Sequence, residues 1–488
     1  MNTNCAKLSL IGLMGGLLGG CLVGPNYHRP PVPVAGQYKE LPGWTTATPA
    51  DAAPKGDWWT DFHDPLLDEL EPMVAVSNQN VRQNYANYQQ ALAEVKVARA
   101  QLFPTIGIAG SATRSGGPGY AGSGGTTTGA GTVIPSRSGS AINSATLEGT
   151  ASWTPDLWGK VRRLIEQNAA IAQSDEAVLA NATLSEQTLL ATTVIELRIA
   201  DANIDLAQKT VDAFRDALRI TKAQATAGIT AAPPSAVITA QVALETAQST
   251  LIGLGVARAQ YAHAIAVLVG KNPEDLDIPH SEDVPTLPTI PVGVPSTLMQ
   301  RRPDIAAAER TMKAQNAAVG IAVAAYYPTL SLSGAAGFSQ SPLQGLLHTA
   351  NHVWSIGATG TETVFDFGER HAEVQAAKAA YEAAVASYRN TVLNAFEDVE
   401  NDLSALRILA DQAIALDAAV HDSIRGTEIA LAEFQAGTVD YTTVAAAQQT
   451  QLSNQQNALS IEGSRLIDTV SLIGDLGGGW SESRLHDP

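Results

Sequence analysis

Two stretches of equal length, Gly159 to Ala227 and Gly368 to Ala436, each run for 69 residues without a proline. Such runs read as continuous helices, and nothing else in the chain constrains its fold as much. In the first, Leu190, Leu197, Ile204, Val211 and Leu218 recur every seven residues, the spacing of a helix packed along one seam. In the second, Val399, Leu406, Ala413 and Val420 occupy the matching places, and Gly426 is the one interior glycine. At about 1.5 Å per residue each helix extends on the order of 100 Å. Glycine ends both, at Gly228 and Gly437, and Pro233-Pro234 prevents the first from continuing. Return helices follow, from about Ser235 to Val269 and from the Gly437 turn to near Gly474.

The two runs belong to a larger repeat. Gly159, Leu197-Arg198-Ile199 and Ala227-Gly228 reappear 209 residues later as Gly368, Leu406-Arg407-Ile408 and Ala436-Gly437. Upstream, Phe103-Pro104-Thr105 reappears as Tyr327-Pro328-Thr329. At each of these prolines a helical pattern stops and strand alternation begins, with Leu330 and Leu332 interleaved with Ser331 and Ser333. The chain is therefore two copies of one long unit. The first copy's opening helix starts at Asp64-Pro65 and is expected to continue to about Leu102. Strands are expected at Thr105 to Thr113, Ala145 to Trp153, from Thr329, and from Trp354 to Phe365. A Gly/Ser/Thr-rich flexible loop spans Ser115 to Ser144, and a short loop spans Ser339 to His352.

Four strands of nine to twelve residues, tilted, have the reach to cross a bilayer. One parity of each is apolar and the other is Thr, Ser and Gly, which suits lipid outside and water inside a barrel. Phe103, Trp153, Tyr327, Trp354 and Phe365 stand near the strand ends, where an interfacial girdle belongs. Four strands cannot close a barrel, and an open edge is not tolerated in lipid, so the chain must contribute staves to an oligomer. Glu362 shares parity with Ile356 and Ala358, which implies a bulge there or a place below the bilayer.

Composition agrees with thin, closely packed layers: aromatics are 5% and charged residues 16%. The formal net charge of −18 disfavours nucleic acid as a partner. At the N-terminus Lys7 precedes an apolar run from Leu8 to Leu18, which reads as a secretory signal peptide. Leu18-Gly19-Gly20-Cys21 resembles a bacterial lipobox, making Cys21 the lipidated (palmitate-bearing) first residue of the mature chain. These readings divide the chain into a signal peptide (1–20), a lipidated tether (21–63), a first repeat (64–270), a linker (271–295), a second repeat (296–476) and a flexible tail (477–488).

Cys21 with Gly24-Pro25-Asn26-Tyr27, Trp58-Trp59 and Asp64-Pro65, then Asp156-Leu157-Trp158-Gly159 and Arg301-Arg302-Pro303-Asp304-Ile305, resembles the TolC-type outer-membrane efflux proteins of the NodT/OprM branch. The match spans essentially the whole mature chain. The resemblance implies an α+β membrane protein, a TolC-like homotrimer with a 12-stranded barrel in the outer membrane and a long periplasmic α-helical barrel. It further implies a passive exit duct of multidrug resistance, partnered by a periplasmic adaptor and an inner-membrane pump of the resistance-nodulation-division type. In that family the periplasmic turns meet the adaptor, and here they are Gly228 and Gly437. Ala446 stands before Ala447-Gln448 where the family often carries an acid, so Asp440, with Tyr441, is the candidate periplasmic gate.

An enzyme finds little support: the sequence has no HExxH or GxxxxGK pattern, its histidines are scattered, and no cofactor is expected. Two other readings stay open. One keeps the channel but assigns it to type I protein secretion. The weaker one is a periplasmic coiled-coil spacer without a pore.

Overall fold

The computed structural model describes residues 22–32, 38–40, 57–115, 142–228, 234–288, 300–340 and 346–488. The signal peptide, Cys21, the loop at 116–141 and Ile229 lie outside them. In chain order the elements are α1 (Pro65–Ser77), α2 (Gln79–Ala100), β1 (Thr105–Ser115), β2 (Ile142–Trp153), α3 (Lys160–Thr226), α4 (Pro234–Leu268), α5 (Pro303–Ala324), β3 (Thr329–Gln340), β4 (His352–Thr361), α6 (Glu369–Gln435) and α7 (Tyr441–Asp475). The copies agree in length: α2 and α5 have 22 residues each, α3 and α6 have 67, and α4 and α7 have 35.

The chain forms two compact units, and each draws on both copies. The first takes residues 22–28, Leu92–Ala170 and Lys313–Ala383. Its centre is an antiparallel sheet in the order β1-β2-β3-β4. The middle pairing joins the copies, with Leu147 opposite Phe338 and Trp153 opposite Leu332. The units therefore cut across the sequence repeats, because a strand ladder satisfies backbone groups between copies as readily as within one. At the helix–strand joints aromatic side chains close the corner. Trp153 Nε1 donates to the Leu102 carbonyl at 3.0 Å and Trp158 Nε1 to that of Pro328 at 2.8 Å. Trp158 stacks on Tyr327 with centroids 4.9 Å apart.

Four expectations need correction. The opening helix breaks at Asn78, which is extended and caps α2: its Oδ1 accepts from the Asn80 and Val81 amides at 2.8 and 3.2 Å. Strand β4 ends at Thr361 rather than Phe365, so Glu362 lies past the ladder and no bulge is needed. Arg370 holds that turn through Glu362 at 3.2 Å, Asp366 at 2.5 Å and the Thr363 carbonyl at 2.6 Å. The tail is docked: Glu482 pairs with Arg310 at 2.9 Å, and Trp480 and Leu485 pack on Ala177, Ala306 and Ala307.

The fourth correction concerns the tether, whose start is strapped down in the first unit. Arg163, 1% exposed, donates from Nε to the Val23 carbonyl at 3.1 Å and from Nη2 to the Gly24 carbonyl and Asn26 Oδ1 at 3.2 and 3.0 Å. Its Nη1 pairs with Glu166 at 2.7 Å. Asn316 donates to the Pro25 carbonyl at 3.1 Å. Gly24 lies so close to Gly320 that a Cβ on Gly24 would stand 2.5 Å from the Gly320 Cα. A segment without a ladder of its own thus finds backbone partners in one guanidinium fork.

The second unit takes Arg29–Ala91, Ile171–Met312 and Ala384–Pro488. Its larger core gathers Trp58, Phe62, Leu67 and Leu70 around the α3 seam at Leu190 and Leu197, with Ile265 of α4 and Leu466 and Val470 of α7. Asp64 caps α1 as its sequence position indicates, its Oδ1 accepting from the Leu66 amide at 2.7 Å. The same carboxylate takes both arms of the buried Arg198 at 2.8 and 3.2 Å. Glu71 is fully buried, and among the described residues neither carboxyl oxygen has a hydrogen-bond partner. Burial pushes its pKa from an ordinary 4.5 up to about 9.

Two predictions follow from this packing. Arg163→Ala strands two carbonyls and Glu166, a loss of about 3 kcal/mol; limited proteolysis should then cut within residues 22–32 while helical circular dichroism is kept. Unchanged protection would mean that the strap holds without the fork. For Glu71, the folded state keeps a proton that the unfolded chain releases above pH 4.5, so stability should be highest in acid and fall as pH rises toward about 9. Glu71→Gln should flatten that slope and raise the unfolding midpoint at pH 8.5 by several degrees; parallel pH profiles for both proteins would refute it.

Candidate functional site

The sheet has two chemically distinct faces, fixed by its register. Ile106, Ile108, Leu147, Phe338, Trp354 and Ile356 share one side. Ile106, Ile108 and Ile356 are 83%, 84% and 83% exposed, too apolar and too bare for contact with water alone. The other side carries hydroxyls bonded across the strands: Thr105 to Ser152 at 2.7 Å, Ser111 to Thr146 at 2.7 Å and Thr113 to Ser144 at 2.6 Å. Among the described residues β1 and β4 each keep one unpaired edge.

At the other candidate site both helical turns are built alike. Gly228 and Gly437 adopt φ of 73° and 75°, the left-handed conformation that closes a helix. An added Cβ would meet nothing within 4 Å at either, so only the backbone angle calls for glycine. At the second turn the Thr438 amide reaches back to the Glu433 carbonyl and the Gly437 amide to that of Phe434, both at 3.0 Å. The turns are neighbours: Gln224 Nε2 donates to the Phe434 carbonyl at 3.2 Å. Beneath them Val211, Phe214 and Leu218 of α3 pack with Ala240 of α4, Phe434 of α6 and Tyr441 of α7.

The candidate gate divides. Asp440 is exposed and caps α7, accepting from the Thr442 hydroxyl at 2.5 Å and from the Thr443 amide and hydroxyl at 3.2 Å each. The Thr442 hydroxyl bond, then the Thr443 amide, lowers its pKa below the ordinary carboxylate value. Tyr441 is fully buried, its ring edge-on to Phe434 at 5.9 Å, and packs under the turn.

The Arg301-Arg302-Pro303-Asp304 motif now has a physical role. Arg302 bonds Asp304 at 2.8 Å and Asp475 at 3.0 Å, and lies 3.5 Å from Asp398, tying the start of α5 to the end of α7 and to α6. Beside it, burial and the neighbouring Asp475 carboxylate raise the pKa of Asp402. Arg302, Asp304 and Asp475 line a cavity of about 570 Å³ together with Asn181, Ser185 and Thr188 of α3. Sequence reading gave neither this hub nor Arg163 a role, because partners such as Asp475 and Val23 are more than a hundred residues away.

Comparison with known proteins agrees with this geometry. The profile described as outer membrane efflux protein matches residues 72–271 and 294–478. The probable efflux pump outer membrane protein TtgC of Pseudomonas putida is 30% identical over 469 residues, covering 96% of this chain and 94% of its own. Outer membrane protein OprJ of Pseudomonas aeruginosa is 28% identical, with 96% and 95% covered. Among solved structures, the outer-membrane channel OprN superposes with a TM-score of 0.84 at 27% identity, over 94% of this chain and all of its own. The Campylobacter jejuni CmeC outer membrane channel shares the fold with a TM-score of 0.85 at 24% identity, covering 95% and 96%. The fold is TolC-like, and the chain belongs to the outer membrane efflux protein family.

Proposed function

We propose that this chain is the outer-membrane duct of a tripartite efflux system, a passive exit for small molecules. The observation that carries this reading is the open sheet with one bare apolar face and one hydroxyl face. Three copies, joined edge to edge from β4 to β1, close a barrel of twelve strands and satisfy every ladder group that lipid cannot. Ile238, Val242, Ile252 and Val256 of α4 are left exposed by a single chain and offer apolar surface to a neighbouring copy. The duct moves cargo without changing it, so no residue is given a catalytic role.

The relatives named as efflux pump outer membrane proteins support a pump as partner; that a periplasmic adaptor joins the two and that the pump is of the resistance-nodulation-division type rests on the resemblance of the Arg301-Arg302-Pro303-Asp304 and Asp156-Leu157-Trp158-Gly159 signatures. Small-molecule efflux is favoured over protein secretion by the relatives named as antibiotic and toluene efflux pump outer membrane proteins of Pseudomonas putida. We assign the adaptor contact to the Gly228 and Gly437 turns, where a partner can approach bare backbone. Asp440, kept ionised at the start of α7, is the gate in place of Ala446, three such carboxylates ringing the tip. Lipidation of Cys21 fits a mature chain that is strapped down from Val23 onward.

Gly437→Trp tests the tip. It costs about 1 kcal/mol in backbone strain and its Cβ meets nothing within 4 Å, so trimer mass by light scattering should be unchanged. Drug resistance and adaptor cross-linking in cells should both be lost. Normal resistance with normal cross-linking would reduce the turn to a helix cap, whereas a monomeric wild type would refute the barrel itself. Fatty-acid labelling tests the anchor: it should mark the wild type and spare Cys21→Ser, and equal labelling would dismiss lipidation. The unlipidated chain should still insert, since the barrel offers far more apolar surface than acyl chains do.

A further inference from the structure

The hydroxyl face of the sheet carries one ionisable side chain, Glu148, near the middle of β2. Its cross-strand neighbours are Ala109 on β1 and Gly337 on β3. Gly337 is small by necessity: a Cβ there would stand 2.2 Å from the Leu147 carbonyl oxygen and 2.9 Å from the Glu148 Cγ. Glu148 is half-buried, its stem lying over Gly337. Among the described residues it has no ion pair and no hydrogen bond. An unpaired carboxylate in the middle of a strand long enough to span a bilayer must face water, because lipid or packed protein would exact its full desolvation.

We propose that Glu148 is a charge-selecting side chain of the barrel, three copies of it forming an acidic ring in the lumen that favours cations over anions. The inference rests on the trimeric barrel read above. In a water-filled passage such a ring acts through its field rather than by contact, so its reach is the Debye length. That length is about 30 Å at 0.01 M salt and about 3 Å at 1 M. The field fills a wide lumen in dilute salt and shrinks to the wall in concentrated salt. The effect on permeation must therefore fade with ionic strength, which a steric role would not do.

The test is the potassium-to-chloride permeability ratio of purified trimer in planar bilayers, read from reversal potentials. In roughly 0.01 M salt Glu148→Gln should lower the ratio about threefold and Glu148→Lys further, with all three proteins converging at 1 M. Equal ratios in dilute salt would overturn the proposal. So would a Glu148→Gln chain that no longer assembles, since Glu148 would then be a structural residue. A tip that stays shut is met by a second measurement that needs only the outer mouth. Glu148→Cys in a Cys21→Ser chain should react with membrane-impermeant charged thiosulfonates added to intact cells, and protection of that thiol would equally overturn it. Failure of the barrel reading is distinct: the wild type itself would then lack trimer mass.

Discussion

The backbone ladder between β2 and β3 is the interaction on which the rest of the structure depends. It joins a strand of the first copy to one of the second, from Ala145 opposite Gln340 to Trp153 opposite Leu332. Without it the chain would hold two hairpin halves, each with two open edges and too narrow to shield a backbone from lipid. With it the chain is a four-strand stave with one edge at each side. The ladder also fixes the faces. A slip of one residue would set the apolar face of β1 and β2, with Ile106 and Leu147, beside the hydroxyl face of β3 and β4 and opposite to Ile356, leaving neither side of the stave fit for lipid.

Much of this plan was legible in the sequence because it rests on periodicity and on breakers. The equal helices, the glycines that end them and the prolines at Pro104 and Pro328 are local signals, and local signals survive without tertiary knowledge. Asp64 as a cap belongs to the same class. The corrected boundaries have physical causes. Asn78 splits the first helix with a side chain that any surface asparagine resembles until its bonds are seen. The end of β4 is set by Arg370, eight residues beyond Glu362, closing a turn that parity alone cannot show. Tyr441 looked available beside an exposed turn, yet its ring completes the core beneath it.

Contacts between distant segments could not be read in advance. The tail lacks large apolar runs, and composition alone suggests freedom. Its order comes from two side chains, Trp480 and Leu485, set against alanines that are small enough to receive them, with Glu482 held by Arg310. The unpaired Glu71 is likewise invisible in sequence, since a helix carrying Asp68 and Glu69 nearby gives no sign that one acid turns inward.

The irregular segments share one device. Stretches that form neither helix nor strand must still satisfy their backbone groups. Here arginine forks reach out to their carbonyls: Arg163 to Val23 and Gly24, Arg258 to Ile278 at 3.0 Å and Arg370 to Thr363, while Arg302 does the same for the open carbonyl at the end of α7, Asp475, at 3.3 Å. Each fork is anchored in turn by a carboxylate, as Arg258 is by Asp201 at 2.6 Å. A lysine could supply the charge but not two directed donors in one plane. Two of these arginines are held by more than one acid, Arg370 by Glu362 and Asp366 and Arg302 by three. An Arg302→Lys exchange would keep the charge near Asp475 while losing the planar grip on Asp304, loosening the start of α5 from the end of α7. Recurring arginine–acid pairs in a chain otherwise poor in charge thus mark where irregular backbone is fastened to helix.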